Sequence, residues 1–411
     1  MALLARETRL MAGRGKGPLA GVIVLDLTSV LMGPYATQIF ADLGADVIKV
    51  EDPRGDTTRF LPPGPSPGRG AMFINLNRGK RSLALDLKQP AARAALLTLA
   101  RGADVFVHSM RAGAIRRLGL DYAALREANP DIIYANLYGF GRGGRYRDYP
   151  AYDDIVQAAS GLADLQARLN GGEPAYLATV VADKVAGLTA AYAIAAALFA
   201  REKGVGGQEI EVPMFETLAS FALTEHLCGS LFDPPLGPPE YPRVVSPERR
   251  PYRTRDGYLG VMIYTDQHWR AFFDAIGNPD WSTDDMFKSI TSRTHNIGAV
   301  LGRLSDVLAQ RTNDEWMAVL TAAQVPAMPI KSLTDLLDDA HLADTGFWVE
   351  RDSDDGRMRF PAIPTDFSAT PGEIGDPGPA HGADGEDILI KAGVSAQTIA
   401  DLKAAGALVG C

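Results

Sequence analysis

The sequence predicts an α/β protein with a mainly parallel sheet in a large domain and with a second, smaller α+β domain. Short apolar strands recur through the first 140 residues and alternate with helices of about ten residues, which is the pattern of a parallel sheet. Five prolines within residues 233–242 indicate a linker, because proline continues neither a helix nor a central strand. A chain of 411 residues is long enough for two or three domains.

The predicted elements of the large domain alternate in order along the chain. Strands are predicted at residues 22–27, 47–51, 83–87, 105–107 and 132–137. Helices are predicted at residues 35–43, 90–101 and 122–128. Each strand is short and mostly apolar, as in parallel strands that are covered on both faces.

The later segments are less regular. The alanine-rich stretch 185–199 is shorter than the roughly twenty apolar residues of a membrane span, so we expect a helix buried on most sides and no membrane partner. After the linker, a strand at 258–264 and a helix at 267–276 begin the smaller domain. Residues 345–382 are rich in Asp, Gly and Pro and are expected to form a long surface loop. Residues 395–408 are predicted to form an amphipathic helix.

Charge and cysteine content exclude several classes of protein. A net charge of −9 argues against a nucleic-acid partner, which would require a basic surface. Cys228 and Cys411 cannot form a disulfide framework and are typical of a reduced, cytoplasmic protein. His226 and Cys228 lack the spacing of a metal site, and no metal is expected. Residues 1–17 lack the apolar core of a signal peptide, so we expect an unstructured extension there.

One short motif has the form of a dinucleotide fingerprint but lacks its context. Residues 139–144, GFGRGG, match G-x-G-x-x-G and follow a predicted strand. The fingerprint also requires a helix that begins at the last glycine, so that its N-terminus can meet the pyrophosphate. The following residues contain Pro150 and have no helical period, which favours a flexible loop.

Two groups of cations lie on loops that leave the predicted sheet, where α/β proteins bind ligands. They are Arg78, Lys80, Arg81 and Lys88 in the first group and Arg111, Arg116 and Arg117 in the second. Such cations suit phosphates, but a solvated charged surface is the alternative interpretation.

Asp183 opens the apolar helix, where a carboxylate commonly acts as an N-cap or balances the helix dipole. Residues 152–157 taken alone are interpreted as capping residues.

Several long motifs resemble, in the same order, those of the class III CoA-transferases, the CaiB/BaiF family that includes formyl-CoA transferase and the carnitine and bile-acid CoA-transferases. VLDLTSVLMGPYATQIFADLGADVIKVEDPRGDTTR (24–59) is similar to the family's first βαβ unit. The motifs that follow in the family's order include ADVFVHSMRAGAIRRLGLDY (103–122), AYDDIVQAASGL (151–162) and ADKVAGLTAAYAIAAALFAREKGVGGQEIEVPM (182–214). The resemblance is strong over residues 18–220 and continues in fragments such as 325–347.

The resemblance implies a Rossmann-like large domain built from both ends of the chain, with a smaller α+β domain between them, in an interlocked homodimer. It places an extension at 1–17, the first part of the large CoA-binding domain at 18–220, a linker and small domain at 221–330, and a return segment at 331–411. Because two interlocked chains separate only by partial unfolding, the stability of each subunit would depend on the dimer.

The resemblance also implies a reaction and a nucleophile. It assigns the nucleophile of the family to Asp183, which would attack an acyl-CoA thioester, form a mixed anhydride and then an aspartyl-CoA thioester, and pass CoA to a small carboxylic acid. A carboxylate with an ordinary pKa is ionised near neutral pH and needs no general base. Acyl-CoA would be a substrate, and no tightly bound cofactor is implied.

The CoA contacts of the family fall on loops that follow strands of the predicted sheet. By resemblance they are Val30, Leu31, Arg54, Leu85, Lys88, Ser109, Met110, Arg111, Ala114, Arg117, Leu118 and Tyr152. Leu31 and Met32 replace a polar–small pair of formyl-CoA transferase, and the run of four glycines that covers the site of that enzyme is absent from the predicted small domain. These departures argue against oxalate or formate as substrates. Arg54 would substitute for an arginine that formyl-CoA transferase has at the position of Asp52.

Two other functions stay open at this point. The α-methylacyl-CoA racemases of the same superfamily move an α-proton with a His and an Asp, and Tyr152 stands where they have the His. A tyrosine with a pKa near 10 is a poor base at neutral pH, so the racemase activity is disfavoured. A CoA-binding protein without catalysis is the other alternative, and the presence of Asp183 argues against it.

Overall fold

The computed structural model describes residues 16–410 and divides them into two compact units. Unit 1 comprises residues 16–160, 179–219 and 341–410, and unit 2 comprises residues 161–178 and 220–340. Unit 1 is therefore assembled from three segments that are distant in sequence. Most of the extension expected at 1–17 lies outside the described residues, as does Cys411.

Twelve strands are assigned in the described part of the chain. In chain order they are β1 (Ile23–Leu27), β2 (Asp46–Glu51), β3 (Arg81–Leu85), β4 (Val105–His108), β5 (Ile133–Tyr138), β6 (Gln208–Pro213), β7 (Tyr252–Arg253), β8 (Tyr258–Val261), β9 (Ala327–Pro329), β10 (Trp348–Ser353), β11 (Gly356–Pro361) and β12 (Leu408–Val409). The strands predicted for the large domain all occur, with small differences at their ends.

Seventeen α-helices accompany them in the same residues. They are α1 (Met32–Asp42), α2 (Ala71–Leu76), α3 (Pro90–Ala100), α4 (Ala112–Arg117), α5 (Tyr122–Ala128), α6 (Asp153–Ala159), α7 (Leu162–Leu169), α8 (Val181–Glu202), α9 (Met214–His226), α10 (Pro242–Val245), α11 (Asp266–Ala275), α12 (Ile290–His295), α13 (Ile297–Leu308), α14 (Asn313–Ala322), α15 (Ala340–Asp344), α16 (Gly385–Lys391) and α17 (Ala396–Ala404). Helix α5 has the bounds predicted from the sequence.

Unit 1 is built on a seven-stranded sheet with the order β12-β3-β2-β1-β4-β5-β6. All neighbouring strands run parallel except β12, which pairs antiparallel with β3. From β3 to β6 this is the strand order of a Rossmann fold, and it reverses between β1 and β4. The predicted α/β fold with a Rossmann-like sheet is thus confirmed. Ligands of such sheets bind outside the carboxyl ends of the strands at the reversal.

The four central strands are buried along their whole length. Every residue of β1, β2, β4 and β5 is buried, which explains their mostly apolar sequences. Four charged residues are exceptions, and two of them, Asp26 and Lys49, are 0% exposed. A buried charge needs a partner, and both side chains have one.

Two buried ion pairs lie beneath the loop that connects β1 to α1. The Nζ atom of Lys80 lies 3.0 Å from Oδ2 of Asp26, and the Nζ atom of Lys49 lies 3.0 Å from Oδ2 of Asp56. Burial alone would raise the pKa of Asp26, but the charges of Lys80 and Lys49 lower it, so this carboxylate is ionised. Burial lowers the pKa of Lys80 to about 8, with the charge of Asp26 opposing. Lys80 was a candidate phosphate ligand, and its buried partner excludes that role.

Unit 2 contains a small antiparallel sheet and a core rich in aromatic rings. Its three strands have the order β7-β8-β9, and helices α11, α13 and α14 supply much of the core. Trp269 and Phe272 pack edge to face, and buried Trp316 donates from Nε1 to the carbonyl of Leu308 at 2.8 Å. The predicted α+β character of the smaller unit is confirmed.

Helix α8 differs from the helix expected at 185–199. It has 22 residues, and by length and composition alone it could cross a membrane, a test that core helices of other proteins also pass. One face, with Ala186 and Gly187, is buried in unit 1, where α8 packs against α1. The opposite face exposes Leu188, Tyr192 and Phe199, with exposed fractions of 49, 66 and 65%. Helix α8 is therefore not buried on most sides in a single chain, and the expectation for residues 185–199 is wrong.

The return segment also differs from its prediction. Residues 345–382 are not only a surface loop, because β10 and β11 pair there as an antiparallel hairpin. Their alternating charges are the solvent-facing residues of that hairpin rather than signs of a loop. The helix predicted at 395–408 ends at Ala404, and the chain then adds β12 to the edge of the large sheet.

Replacement of Lys80 by methionine should strongly destabilise the protein, because it leaves Asp26 as a buried charge without its closest cation. Breaking a buried pair in this way costs about 3–5 kcal/mol. Lys391→Met is the matched control, since it removes an exposed pair with Asp387 on α16 of the same unit. That pair contributes only about 0.3–0.5 kcal/mol. Thermal unfolding should show a large fall in midpoint for Lys80→Met and almost none for Lys391→Met; similar falls would contradict the assignment.

Candidate active site

A cavity of about 280 Å³ opens in unit 1 where the strand order of the sheet reverses. Its walls come from the segments that follow β1, β4, β5 and β6 and from the first turn of α8. The lining residues are Ser29, Val30, Met32, Ser109, Arg111, Ala112, Leu137, Tyr138, Gly139, Phe140, Arg142, Arg147, Tyr149, Pro150, Ala151, Tyr152, Asp183 and Met214. This is the place at which an α/β sheet of this order binds ligands.

The carboxylate of Asp183 lies in this cavity and is held by the start of another helix. Asp183 is the third residue of α8, and its Oδ1 accepts from the backbone N–H of Met32, the first residue of α1, at 3.1 Å. Among residues 16–410 no hydrogen-bond donor reaches its other oxygen, Oδ2. The two helices approach closely at Gly187, where an added Cβ would lie 2.7 Å from the carbonyl oxygen of Met32. Only glycine at 187 permits this approach without a shift.

The surroundings of Asp183 change its ionisation. Burial, and then the charge of Asp153, raise the pKa of Asp183 to about 6, while the hydrogen bond from Met32 opposes the increase. The ordinary pKa expected from the sequence is therefore wrong. The carboxylate is still mainly ionised at pH 7, but it is protonated at a pH where an exposed aspartate would carry a full charge.

Asp153 supplies the missing cap of α8. The N-cap position of this helix is Val180, which has no capping side chain. Oδ1 of Asp153 accepts from the backbone N–H groups of Ala182 at 2.7 Å and Asp183 at 3.1 Å. The interpretation of residues 152–157 as capping residues thus holds for Asp153, although the helix it caps is α8, about thirty residues further along the chain.

The loop between β1 and α1 has a strained backbone that the buried ion pairs stabilise. Val30 has φ 68°, in the left-handed region that β-branched residues rarely adopt. Its N–H donates to Asp56 at 3.2 Å, and Lys49, the partner of Asp56, also donates to the carbonyl of Thr28 at 2.9 Å. Such a conformation costs about 1–3 kcal/mol and persists only where the surroundings hold it. The loop delivers the Met32 N–H that holds Asp183.

The glycine-rich loop after β5 forms one wall of the cavity. No helix begins at residues 139–144, as predicted, so the dinucleotide fingerprint is absent here. The N–H of Gly141 donates to the carboxylate of Glu216, and Arg142 pairs with Glu209 at 2.8 Å and Glu211 at 2.5 Å. The loop is therefore tethered to β6 and α9.

Five of the residues predicted to form the site line this cavity: Val30, Ser109, Arg111, Tyr152 and Asp183. Tyr152 is 71% exposed, at its mouth. Leu31 is buried and lines a second, mainly apolar cavity of about 590 Å³ on unit 1.

The other predicted contacts lie outside the lining of the cavity. Lys88 follows β3, and Arg117 lies on α4; neither forms an ion pair with any residue in 16–410. Arg54 pairs with Asp52 at 2.8 Å, so its charge already has a partner. The side chain of Leu85 is 1% exposed in the core, and Leu85 can offer only its backbone to a ligand. Met110, Ala114 and Leu118 are half-buried on or beside α4.

Several residues of the site were not predicted from sequence patterns. Arg142, Arg147 and Phe140 line the cavity, and only the glycine-rich loop that carries them hinted at a functional segment. Arg78, which was grouped with the candidate phosphate ligands, instead pairs with Asp42 at 2.7 Å in the interior. No cluster of three or more His, Cys, Asp or Glu residues suited to a metal occurs in the described part of the chain.

The chain is similar to curated CoA-transferases along most of its length. The acetyl-CoA:oxalate CoA-transferase of Acetobacter aceti is 35% identical over 347 residues, which are 82% of this chain and 86% of that protein. The succinyl-CoA:mesaconate CoA-transferase of Haloarcula hispanica is 32% identical over 93% of this chain and 98% of its own length. The human succinyl-CoA:glutarate CoA-transferase is 29% identical over 91% of this chain and 86% of that protein.

Solved structures and a family model agree with these similarities. A hypothetical protein from Mycobacterium tuberculosis superposes with a TM-score of 0.78 at 29% identity, covering 91% of this chain and 99% of its own. A CaiB/BaiF family protein from Brucella suis gives a TM-score of 0.77 at 28% identity, covering 92% of this chain and 100% of its own. Residues 19–385 match the model of CoA-transferase family III. The chain therefore belongs to CoA-transferase family III.

Proposed function

We propose that the protein transfers coenzyme A from an acyl-CoA thioester to a carboxylic acid, with Asp183 as the nucleophile. The observation that carries the proposal is the position of this carboxylate, in the cavity at the carboxyl ends of the strands with one oxygen held by Met32. The family of the chain, and relatives named for transfer of CoA between carboxylic acids, support the reaction.

The first half of the reaction loads CoA onto Asp183. Oδ2 of the carboxylate attacks the thioester carbonyl of the donor, the C–S bond breaks, and a mixed anhydride and CoA thiolate result. The thiolate then attacks the aspartyl carbonyl of the anhydride. The donor leaves as a carboxylate, and an aspartyl-CoA thioester remains. No proton is gained or lost, so these reaction steps require no general base.

The second half runs the same steps in reverse with the acceptor. The carboxylate of the acceptor attacks the aspartyl thioester, releases the thiolate and forms a second anhydride. The thiolate attacks the acceptor's acyl carbonyl, gives the new acyl-CoA and frees Asp183. Water would hydrolyse both covalent intermediates, and burial of the site protects them.

The N–H of Met32 has a catalytic position in this scheme. Oδ1 of Asp183, to which it donates at 3.1 Å, becomes the carbonyl oxygen of the aspartyl group. Each attack on that carbonyl places negative charge on the same oxygen. A donor fixed within hydrogen-bond distance stabilises that charge without reorganising, as in an oxyanion hole.

Unpaired cations around the cavity suit the phosphates of CoA. Arg111 lines the cavity, while Lys88 and Arg117 lie on segments that follow β3 and β4, and none of the three forms an ion pair within residues 16–410. An unpaired guanidinium can bind a phosphate with two parallel hydrogen bonds. We assign the phosphates to these three side chains and the pantetheine arm to the mouth of the cavity beside Tyr152.

A homodimer completes the proposal. Leu188, Tyr192 and Phe199 form an exposed apolar row along one face of α8. Apolar side chains scattered singly over a surface need no explanation, but a row of them commonly marks an interaction site. A second copy of the chain, as in the interlocked dimers that the resemblance implies, would cover it. We place the enzyme in the cytoplasm, in keeping with its low cysteine content.

Incubation with succinyl-CoA and no acceptor should leave a covalent CoA adduct on the peptide that contains Asp183, because the second step of the reaction forms an aspartyl thioester. Mass spectrometry of the digested protein should locate it. Asp183→Asn should abolish the adduct and reduce transfer by at least about 10³-fold. Asp154→Asn, which alters an exposed carboxylate on α6, is the matched control and should keep both.

Two results would contradict the assignment of Asp183 as the nucleophile. An adduct that persists in Asp183→Asn would place the covalent step elsewhere. Deuterium uptake at the α-carbon of a 2-methylacyl-CoA, without CoA transfer, would indicate the racemase reaction instead. Other acyl-CoA donors should be tested in the same assay if succinyl-CoA gives no adduct.

Arg117→Gln should raise the KM for acyl-CoA by at least about tenfold, because a charged hydrogen bond to phosphate contributes about 1.5–3 kcal/mol. The value of kcat should change little, since the guanidinium is remote from the reacting atoms. Arg116→Gln removes the same charge from the preceding residue of α4 and serves as the control. Equal effects of the two substitutions would indicate a general electrostatic effect instead of a phosphate contact.

Light scattering should give a particle mass near twice the 44.0 kDa of one chain. The mass should not fall on dilution to micromolar concentrations, since interlocked chains separate only by partial unfolding. A monomeric mass under the same conditions would refute the dimer and leave the exposed face of α8 without a partner.

A further inference from the structure

The helix that carries Asp183 depends on another helix for its cap. Asp153, the first residue of α6, binds the two N–H groups that an N-cap side chain normally satisfies, those of Ala182 and Asp183. Asp153 is 6% exposed, and its second oxygen accepts from Nε2 of Gln157 at 2.6 Å. The capping carboxylate is therefore itself fixed in place.

Without this cap, the N–H groups of Ala182 and Asp183 would be free, and Asp183 is the one acidic residue in the first turn of α8. An acidic side chain in the first turn of a helix is attracted to the free N–H groups of that turn, where it complements the helix dipole. A carboxylate turned back in this way would leave the N–H of Met32 and would no longer point into the cavity. Two competing hydrogen-bond arrangements are thus available to Asp183, and Asp153 occupies the sites that one of them needs.

We propose that Asp153 is a positioning residue for CoA transfer, which caps α8 and thereby keeps the carboxylate of Asp183 directed into the cavity. The inference rests on the proposed role of Asp183 as nucleophile. Asp153 also carries a charge beside that carboxylate, and this charge contributes to the raised pKa of Asp183. Cap and charge are two separable effects of one side chain.

The other ionisable side chains around Asp183 lie on the walls of the cavity. They are Arg111, Tyr138, Arg142, Arg147, Tyr149 and Tyr152. Lys184, the next residue of α8, donates to the hydroxyl of Thr179. A substitution at 153 leaves all of these groups in place, so a changed pH dependence reports the charge at 153.

Two substitutions separate the cap from the charge. Asp153→Asn keeps an oxygen for the N–H groups of α8 but removes the charge, and Gln157 can turn its amide to bind the new NH₂ group. Asp153→Ala removes both. Asp154→Asn is the matched control, since Asp154 is exposed and adjacent. The full-length protein is used, with the rate of adduct formation from succinyl-CoA and the kcat and KM of transfer as readouts.

The wild-type rate of adduct formation should follow ionisation of a group with a pKa of about 6 and fall at pH 5 to about a tenth of its plateau. Asp153→Asn should keep most of the plateau rate and retain a larger fraction of it at pH 5. Asp153→Ala should lower kcat by about 10- to 100-fold with an unchanged KM for acyl-CoA, because the nucleophile is misplaced while the CoA site is intact. Asp154→Asn should match the wild type.

The outcomes that would overturn the inference differ from those that would overturn the proposed function. A kcat in Asp153→Ala equal to that of Asp154→Asn would show that the cap is not needed. A structural role alone would be indicated by two results together. The pH profile of Asp153→Asn would be unchanged, and kcat and thermal stability would fall in parallel in Asp153→Asn and Asp153→Ala. Absence of the adduct from the wild-type protein with every acyl-CoA donor tested would refute the role of Asp183 and not that of Asp153.

Discussion

The orientation of the candidate nucleophile depends on two buried ion pairs beneath the loop between β1 and α1. Buried pairs add little to stability compared with apolar residues of the same size, but removal of one partner is costly. Their effect here is on geometry: Lys49 binds the carbonyl of Thr28, and Asp56 binds the N–H of Val30. These bonds hold Val30 in a conformation that a β-branched residue would otherwise avoid. The loop can then present its next N–H groups in one fixed direction.

The site follows from that loop and from the packing of two helices. Met32, at the end of the loop, donates to one oxygen of Asp183, and the lack of a side chain at Gly187 lets α8 come close enough for this bond. From the other side, Asp153 binds the backbone at the start of α8. The carboxylate is thus constrained by α1 through its side chain and by α6 through its main chain. Three separate helices, α1, α6 and α8, therefore have to be in place together for the carboxylate to take this position.

Local patterns predicted the sheet well and the polar contacts poorly. The strand at Ile23–Leu27 was predicted to within a residue because a parallel strand covered on both faces must be apolar. The hairpin at Trp348–Pro361 was missed because its exposed faces carry alternating charges that resemble a loop. The partner of Lys80 could not be predicted, since Asp26 lies 54 residues away and is brought close only by the fold. The role proposed for Asp183 came from resemblance to a family, and the residues alone indicated only a helix start.

The raised pKa of Asp183 has a consequence for the proposed reaction. A pKa of about 6 in place of 3.8 means that, above pH 6, the folded protein holds this carboxylate ionised at a cost of about 3 kcal/mol. Burial contributes first and the charge of Asp153 second. In the anhydride and in the aspartyl-CoA thioester the aspartyl group is uncharged, so both intermediates are free of this cost. The fold therefore raises the energy of the free nucleophile relative to its acylated forms, and this difference favours attack on the thioester. A neutral cap at position 153 would hold α8 equally well but would reduce that difference, which gives a physical reason for a carboxylate there.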